Sequence, residues 1–346
     1  MITKPIIWSI AGMLLLVFSC KKSPYPAGLV QNELVVLAEI TAGQPLKIPV
    51  SKSIQVGNGG IISFDKVTTA NVIVSPPGGT PITCLLNSSS FYAGDPASVY
   101  TSRHAPAYNT RYRLQVQDPV SGTVTAETTI PSRVRIFGFD TSSTFRGGLP
   151  VLAVRVSFND PPDSVNQYVF EALKQLMRVR HLFTYQGKTY NYDTPKGYTL
   201  YQMIQGQPGV SLRRDTVATD TLLRLMVYTG DKNTDNAKVS TLDSPFERIF
   251  LPDRVFNGRA YTETFYVDKT YFTAASNQGP GRVLLMVKSA SPELYNYLFW
   301  YEQYKSSIES LPPDQLYSPP GNIKNGLGIF GGSSMRRWVY YFDPLY

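Results

Sequence analysis

The chemistry-bearing side chains of this 346-residue chain are few: two histidines, two cysteines and 25 acidic residues. Zinc sites draw three or four ligands from His, Cys and carboxylates. His104 and His181 lie far apart and one of the cysteines stands alone, so no metal cluster and no cofactor is expected. Chain order does not decide a Ser-His-Asp triad, but the Gly-x-Ser-x-Gly elbow is missing. His181 follows Arg178 and Arg180, whose charges favour a neutral imidazole in a structural or surface role. Asp160 and Asp163 flank two prolines and suit a turn better than an acid/base pair, whose geometry sequence cannot show. Asp231-Lys-Asn-Thr-Asp235-Asn236 starts like a calcium loop but puts Asn236 where Gly belongs and Leu242 where Glu belongs, so it reads as a polar turn. Gly326-Leu-Gly328-Ile-Phe-Gly331 matches the dinucleotide fingerprint in letters only. Fifteen residues follow it, too few for a βαβ unit, so a tight turn in an ordered loop or edge is expected. No catalytic residue is assigned, and the expectation is a non-enzymatic protein.

The N-terminus carries a different chemistry. Lys4 precedes an uncharged run from Ile6 to Phe18, too short for a bilayer core, which takes about 20 residues. This is the pattern of a secretory signal. Leu16-Val-Phe-Ser-Cys20 resembles a bacterial lipobox, which implies a signal peptide over 1–19 and lipidation of Cys20. Residues 20–32 then read as a tether. Cys84, between Ile82 and Leu86, is expected to be a buried inert thiol.

The elements that would position any site are mainly β. Gly and Pro number 26 each and Tyr 23, a mix of turns and aromatics that favours strands. Tyr112, Leu114 and Val116 alternate with Arg111, Arg113, Gln115 and Gln117, a half-buried strand. Segments of this kind over 33–131 suggest an immunoglobulin-like β-sandwich. Residues 132–346 suggest a larger β-rich domain. There Leu152, Val154, Val156 and Phe158 alternate, Val283–Val287 is apolar on both faces, and 167–179 fits strand or short helix. One helix is expected near 292–310, with Ser291 as N-cap, Pro292 at N1 and a stripe of Leu294, Tyr297, Leu298, Tyr301, Tyr304 and Ile308.

The formal net charge of +8 is spread along the chain, with tight basic clusters at Arg178/Arg180, Arg213-Arg214 and Arg336-Arg337. Nucleic-acid binders concentrate such charge in a stripe, so no nucleic-acid partner is expected. Three triplets, at Asp163-Ser-Val, Asp215-Thr-Val and Asp220-Thr-Leu, look like short O-glycosylation acceptors. From Tyr295 to the end, 13 residues are aromatic. Packing of a helix on a sheet accounts for many of them. The rest suggest a surface for a partner protein or a flat ligand such as a sugar ring. Its candidate residues are Asn322, Asn325, Gly326, Gly328, Phe330, Trp300 and Trp338.

Cys20 after a short signal, Asn32–Glu39 with Pro45–Val50, Val156–Pro161 and Asn322–Gly331 together resemble a large lipoprotein family of Bacteroidota, the domain of unknown function four-two-four-nine. The resemblance spans nearly the whole mature chain. It implies an outer-membrane lipoprotein anchored through lipid, with a SusC-like TonB-dependent receptor as partner and a glycan or other nutrient as ligand. Lys21-Lys22 after the cysteine, where surface-exported lipoproteins often carry acidic residues, leave periplasmic and surface faces both open. A cell-envelope hydrolase and a structural or adhesion module are the alternative readings.

Overall fold

The computed structural model describes residues 33–56, 61–87, 97–162, 165–238, 244–272, 281–307 and 320–341. In chain order the strands are β1 (Leu34–Thr41), β2 (Leu46–Val56), β3 (Ile61–Lys66), β4 (Asn71–Ser75), β5 (Ile82–Leu86), β6 (Ser98–Ser102), β7 (Arg111–Asp118), β8 (Gly122–Thr129), β9 (Arg135–Arg146), β10 (Leu149–Asn159), β11 (Gln167–Tyr185) and β12 (Lys188–Asn191). Helix α1 (Pro195–Ile204) comes next, then β13 (Arg213–Arg224), β14 (Val227–Thr229), β15 (Ile249–Pro252), β16 (Ala260–Asp268), β17 (Gly281–Ala290), helix α2 (Pro292–Ser307) and β18 (Leu327–Tyr341).

The fold is mainly β, a large mixed sheet and a small one. The 14-stranded sheet runs β12-β11-β17-β18-β1-β2-β6-β5-β4-β7-β8, with β13 and β15 paired to β11 and β3 to β2. The small sheet runs β14-β16-β10-β9. All the pairings described are antiparallel except β18 with β1, where Val35 lies opposite Leu327 and Thr41 opposite Ser333. The C-terminal strand thus joins the N-terminal strands to those of the second half in one sheet.

Side-chain alternation sorts the residues into three cores. Val36 and Ala38, Ile48, Val72, Leu114, Val116 and Phe330 share the first. The second fills the space between the small sheet and one face of the large one, with Leu152, Val154, Phe158 and Phe265 against Phe170, Leu285 and Val287. On the opposite face of the same strands, Val169, Phe250 and Ala290 pack against Leu294 and Tyr295 of α2. Because successive strand residues point to opposite faces, β11 gives Tyr168, Phe170 and Ala172 to one core and Val169 to the other.

Three expectations change. The segment read as a tight turn in an ordered loop or edge around Gly326–Gly332 is strand from Leu327 on; among the described strands it pairs with β1 alone until Ser333, where β17 joins on the other side. The helix uses Leu294, Tyr295, Leu298 and Phe299 rather than the Tyr297/Tyr301/Tyr304 stripe, and Tyr301 is exposed. The glycine at 331 explains the first change and the helix seat together. A Cβ there would lie 2.6 Å from that of Leu294, so glycine lets α2 settle onto the sheet. Third, α1 was not read from the sequence, although Thr194 caps it by accepting from the Gly197 amide at 3.2 Å and Pro195 opens it.

Candidate functional site: a basic, aromatic cleft

β9 is the edge of the small sheet, paired with β10 alone among the described strands. β18 pairs with β1 from Leu327 to Ser333, where β1 ends at Thr41, and with β17 from Ser333 to Tyr341; from Ser334 onward β17 is its one described partner. The two sheets therefore present unpaired strand edges on the same side. Between them opens a cleft of about 340 Å³ lined by Ile136, Phe137, Gly138, Phe139, Arg336, Arg337 and Trp338. Phe139 and Trp338 close its floor by stacking, with ring centroids 4.1 Å apart and planes 5° from parallel. The pairing of β9 with β10 shifts register so that Phe137 is the extra residue of a bulge, and its ring is 63% exposed. A bulge bends an edge strand and re-aims its side chain, which accounts for a phenylalanine held in solvent.

Arg336 is half-buried and Arg337 exposed, and neither has a hydrogen bond or ion pair among the described residues. A guanidinium presents several donors that match carboxylate or phosphate oxygens two at a time. Aromatic rings beside it supply flat apolar area. The described lining, two arginines and three aromatic rings, can hold an anionic, partly apolar group. Two other open hollows lie beside Pro45, Lys47, Leu85 and Arg103 and along Pro195, Lys196 and Met203 of α1. Neither combines an aromatic stack with paired guanidiniums.

The candidate residues named from the sequence separate into three places. The Asn322 side chain donates to the carbonyls of Phe330 (2.8 Å) and Glu127 (2.9 Å) and accepts from the Phe330 amide at 2.8 Å. Phe330 is fully buried in the first core. It supports a surface and cannot line one. Gly326 lies against the Leu34 carbonyl and Val124, and Gly328, at φ +103°, leaves no room for a Cβ beside the Val36 carbonyl. With exposed Asn325, in the left-handed region at φ 62°, these residues form a buckle that fastens β18 to β1 and β8. Trp300 belongs to α2 and stacks on Tyr304 at 4.8 Å. Trp338 alone of the set lines the cleft. Cys20 lies outside the described residues. Of the glycosylation-like triplets, Thr216 and Thr221 are exposed on β13 and Ser164 lies outside the described residues. Phe137 and Phe139 were not singled out. The signal was Arg135-Ile-Phe-Gly-Phe139, an apolar run flanked by charge, and its meaning depends on β18 lying across from it.

Titratable groups elsewhere have structural partners. Cys84 is free and buried, and burial pushes its thiol up to about 11. His181 Nδ1 lies 3.0 Å from Asp193 Oδ1, at the surface. Asp160 accepts from the Tyr168 hydroxyl at 2.6 Å and the Gly258 amide at 2.9 Å. No group of three or more His, Cys, Asp or Glu able to hold a metal occurs among the described residues. Glu171 is buried at 1% exposure and is bound by Lys288 (2.7 Å), Arg224 and Arg248 (3.4 Å). Burial alone would raise its carboxyl, but these three cations outweigh that and hold it far below the usual range. Glu263 is fully buried too, with Thr229 donating at 2.9 Å and no cation beside it. Burial first, then the neighbouring Asp231 carboxyl, raises its own well above the usual value. Asp231 also accepts from the Tyr261 hydroxyl and the Asn233 amide.

Fold and cleft define a mainly β, two-sheet protein with an open cleft lined by two arginines and three aromatic rings. The chain belongs to the family described as Domain of unknown function (DUF4249), whose model matches residues 22–337. No curated protein matches it in a sequence comparison.

Proposed function

We propose that this protein is an outer-membrane lipoprotein, anchored through Cys20, that serves as a non-enzymatic accessory or ligand-binding partner of a TonB-dependent transporter. The observation that carries the reading is the open cleft, lined by the stacked Phe139 and Trp338 and by Arg336 and Arg337, whose side chains have no partner among the described residues. Charged groups left unpaired at an aromatic surface suit recognition by an outside partner. A lipid anchor adds locality, since tethering raises the effective concentration toward a receptor in the same membrane. A glycan or other nutrient is the ligand that such a pair would handle. Within this reading, the strands of 34–129 are an immunoglobulin-like sandwich, supported by the single core they share with Phe330.

The test is a mild-detergent pull-down of the tagged protein from its native outer membrane, followed by mass spectrometry. A stoichiometric TonB-dependent receptor, lost with the Arg336→Glu/Arg337→Glu variant, supports the reading; a clean protein without any receptor overturns it. The hydrolase alternative is favoured by one observation, the buried Glu263 carboxyl near Asp231, which in turn accepts from the Tyr261 hydroxyl. Glu263 has no exposed surface, so a substrate has no direct path to it, and the cleft is the stronger basis.

A further inference from the structure

Resting on that reading, we infer that the cleft takes an extended, acidic segment of the partner protein, which adds as a strand to the free edge of β18 over residues 335–341. Three observations converge on it. First, β18 outlasts its neighbour. β1 pairs with it in parallel up to Ser333 and then turns away, its successor Ala42 donating a last bond to the Ser333 carbonyl at 2.9 Å. Beyond that point one side of β18 bonds β17 and the other carries no described strand. A guest lying end to end with β1 would continue a lane the sheet already uses, and edge addition of this kind supplies affinity through main-chain hydrogen bonds.

Second, the lane is lined. The stacked Phe139 and Trp338 form its floor and exposed Phe137 stands beside it, so alternate guest side chains would meet an apolar surface. Third, the charge has one sign. Arg336 and Arg337 lie in the cleft and Arg135 just precedes its first residue, all three without ion-pair partners among the described residues. This selects a guest with Glu or Asp at intervals and rejects basic segments. It also disfavours a second copy of this chain pairing through β9, because the centred antiparallel register would set Arg135 against Arg146.

The experiment uses the full chain in mild detergent and a fluorescein-labelled synthetic peptide alternating Glu with Val. A companion peptide has Pro in place of alternate Val residues and so lacks the donors that edge pairing needs. The expected result is binding of the first peptide only. Its affinity should fall about tenfold or more in Arg336→Glu/Arg337→Glu and in the exposed-site variant Arg337→Glu. Hydrogen exchange should show new protection of the outward amides within 335–341, and melting temperatures of both variants should stay at the wild-type value. Equal binding of the two peptides, no response to charge reversal, or protection appearing elsewhere would each overturn the inference. So would protection of those outward amides before peptide is added, which would assign the edge to a second copy or to the chain's own terminus. A receptor that co-purifies while the peptide fails removes this inference and leaves the transporter reading. Peptide binding without a receptor does the reverse.

Discussion

The two halves of β18 differ in almost every physical respect. From Leu327 to Ser333 the strand pairs with β1, most of its residues are buried with α2 and β8 close over Gly331 and Gly332, and Asn322 and Gly328 lock it to its neighbours. From Met335 to Tyr341 one edge is open, exposure alternates, and two arginines have no described partner. One strand thus serves as a fastener at one end and as an open surface at the other. The lesson is that aromatic and glycine content does not distinguish these roles. What else covers the strand does: α2 and β8 close over the inner half, and the open cleft lies beside the outer one.

Substitutions should separate the halves by size and kind of effect. Phe330→Ala opens a cavity where the first core meets β18 and is expected to cost about 3–5 kcal/mol in chemical denaturation. A loss near that of an exposed residue would break the comparison. Asn322→Ala should cost about 1–3 kcal/mol, because the Phe330 amide and carbonyl lose their side-chain partner. Its effect should appear as raised hydrogen exchange around 327–331.

Titration tests the same inner half. Glu39 accepts from Ser333 Oγ at 2.7 Å and meets Lys288 at 3.2 Å, so the Glu171 network braces β18 through β1. The folded carboxyl of Glu171 titrates below its unfolded value. Its contribution is therefore present above about pH 4.3 and is lost as pH falls beneath that. Glu263 has the opposite sign. Its folded carboxyl titrates above the unfolded one, so stability is full below about pH 4.3 and declines as pH rises toward the folded value. Denaturation midpoints should show Glu171→Gln flattening the acid limb and Glu263→Gln flattening the alkaline limb. One limb responding to both would refute the assignment. These two buried glutamates also show that company, not burial, decides the charge state.

The smallest stability effect belongs to the outer half. Arg337→Glu should change unfolding by no more than about 0.5 kcal/mol, since the side chain is exposed and unpaired. It should nevertheless weaken receptor co-purification. A large loss of stability would place Arg337 in the fastener instead.

Much of this was legible along the chain. The alternation of Tyr112, Leu114 and Val116 fixed the faces of β7, the apolar run Val283–Val287 marked the sheet centre, and Ser291-Pro292 marked the start of α2. Arg336, Arg337 and Trp338 were visible as unusual residues. These features are local, set by strand and helix periodicity over a few residues. What the sequence could not decide was which residues of the Gly326–Trp338 stretch would be interior. That depends on β1, nearly three hundred positions earlier, lying beside β18 and stopping at Thr41. Likewise Phe137 and Phe139 become a cleft wall only because the small sheet ends over the same edge. The chain by itself determined strands and their faces. Tertiary structure alone decided which strand edge was left unpaired, because hydrogen-bond completion at an edge depends on neighbours brought together from distant sequence.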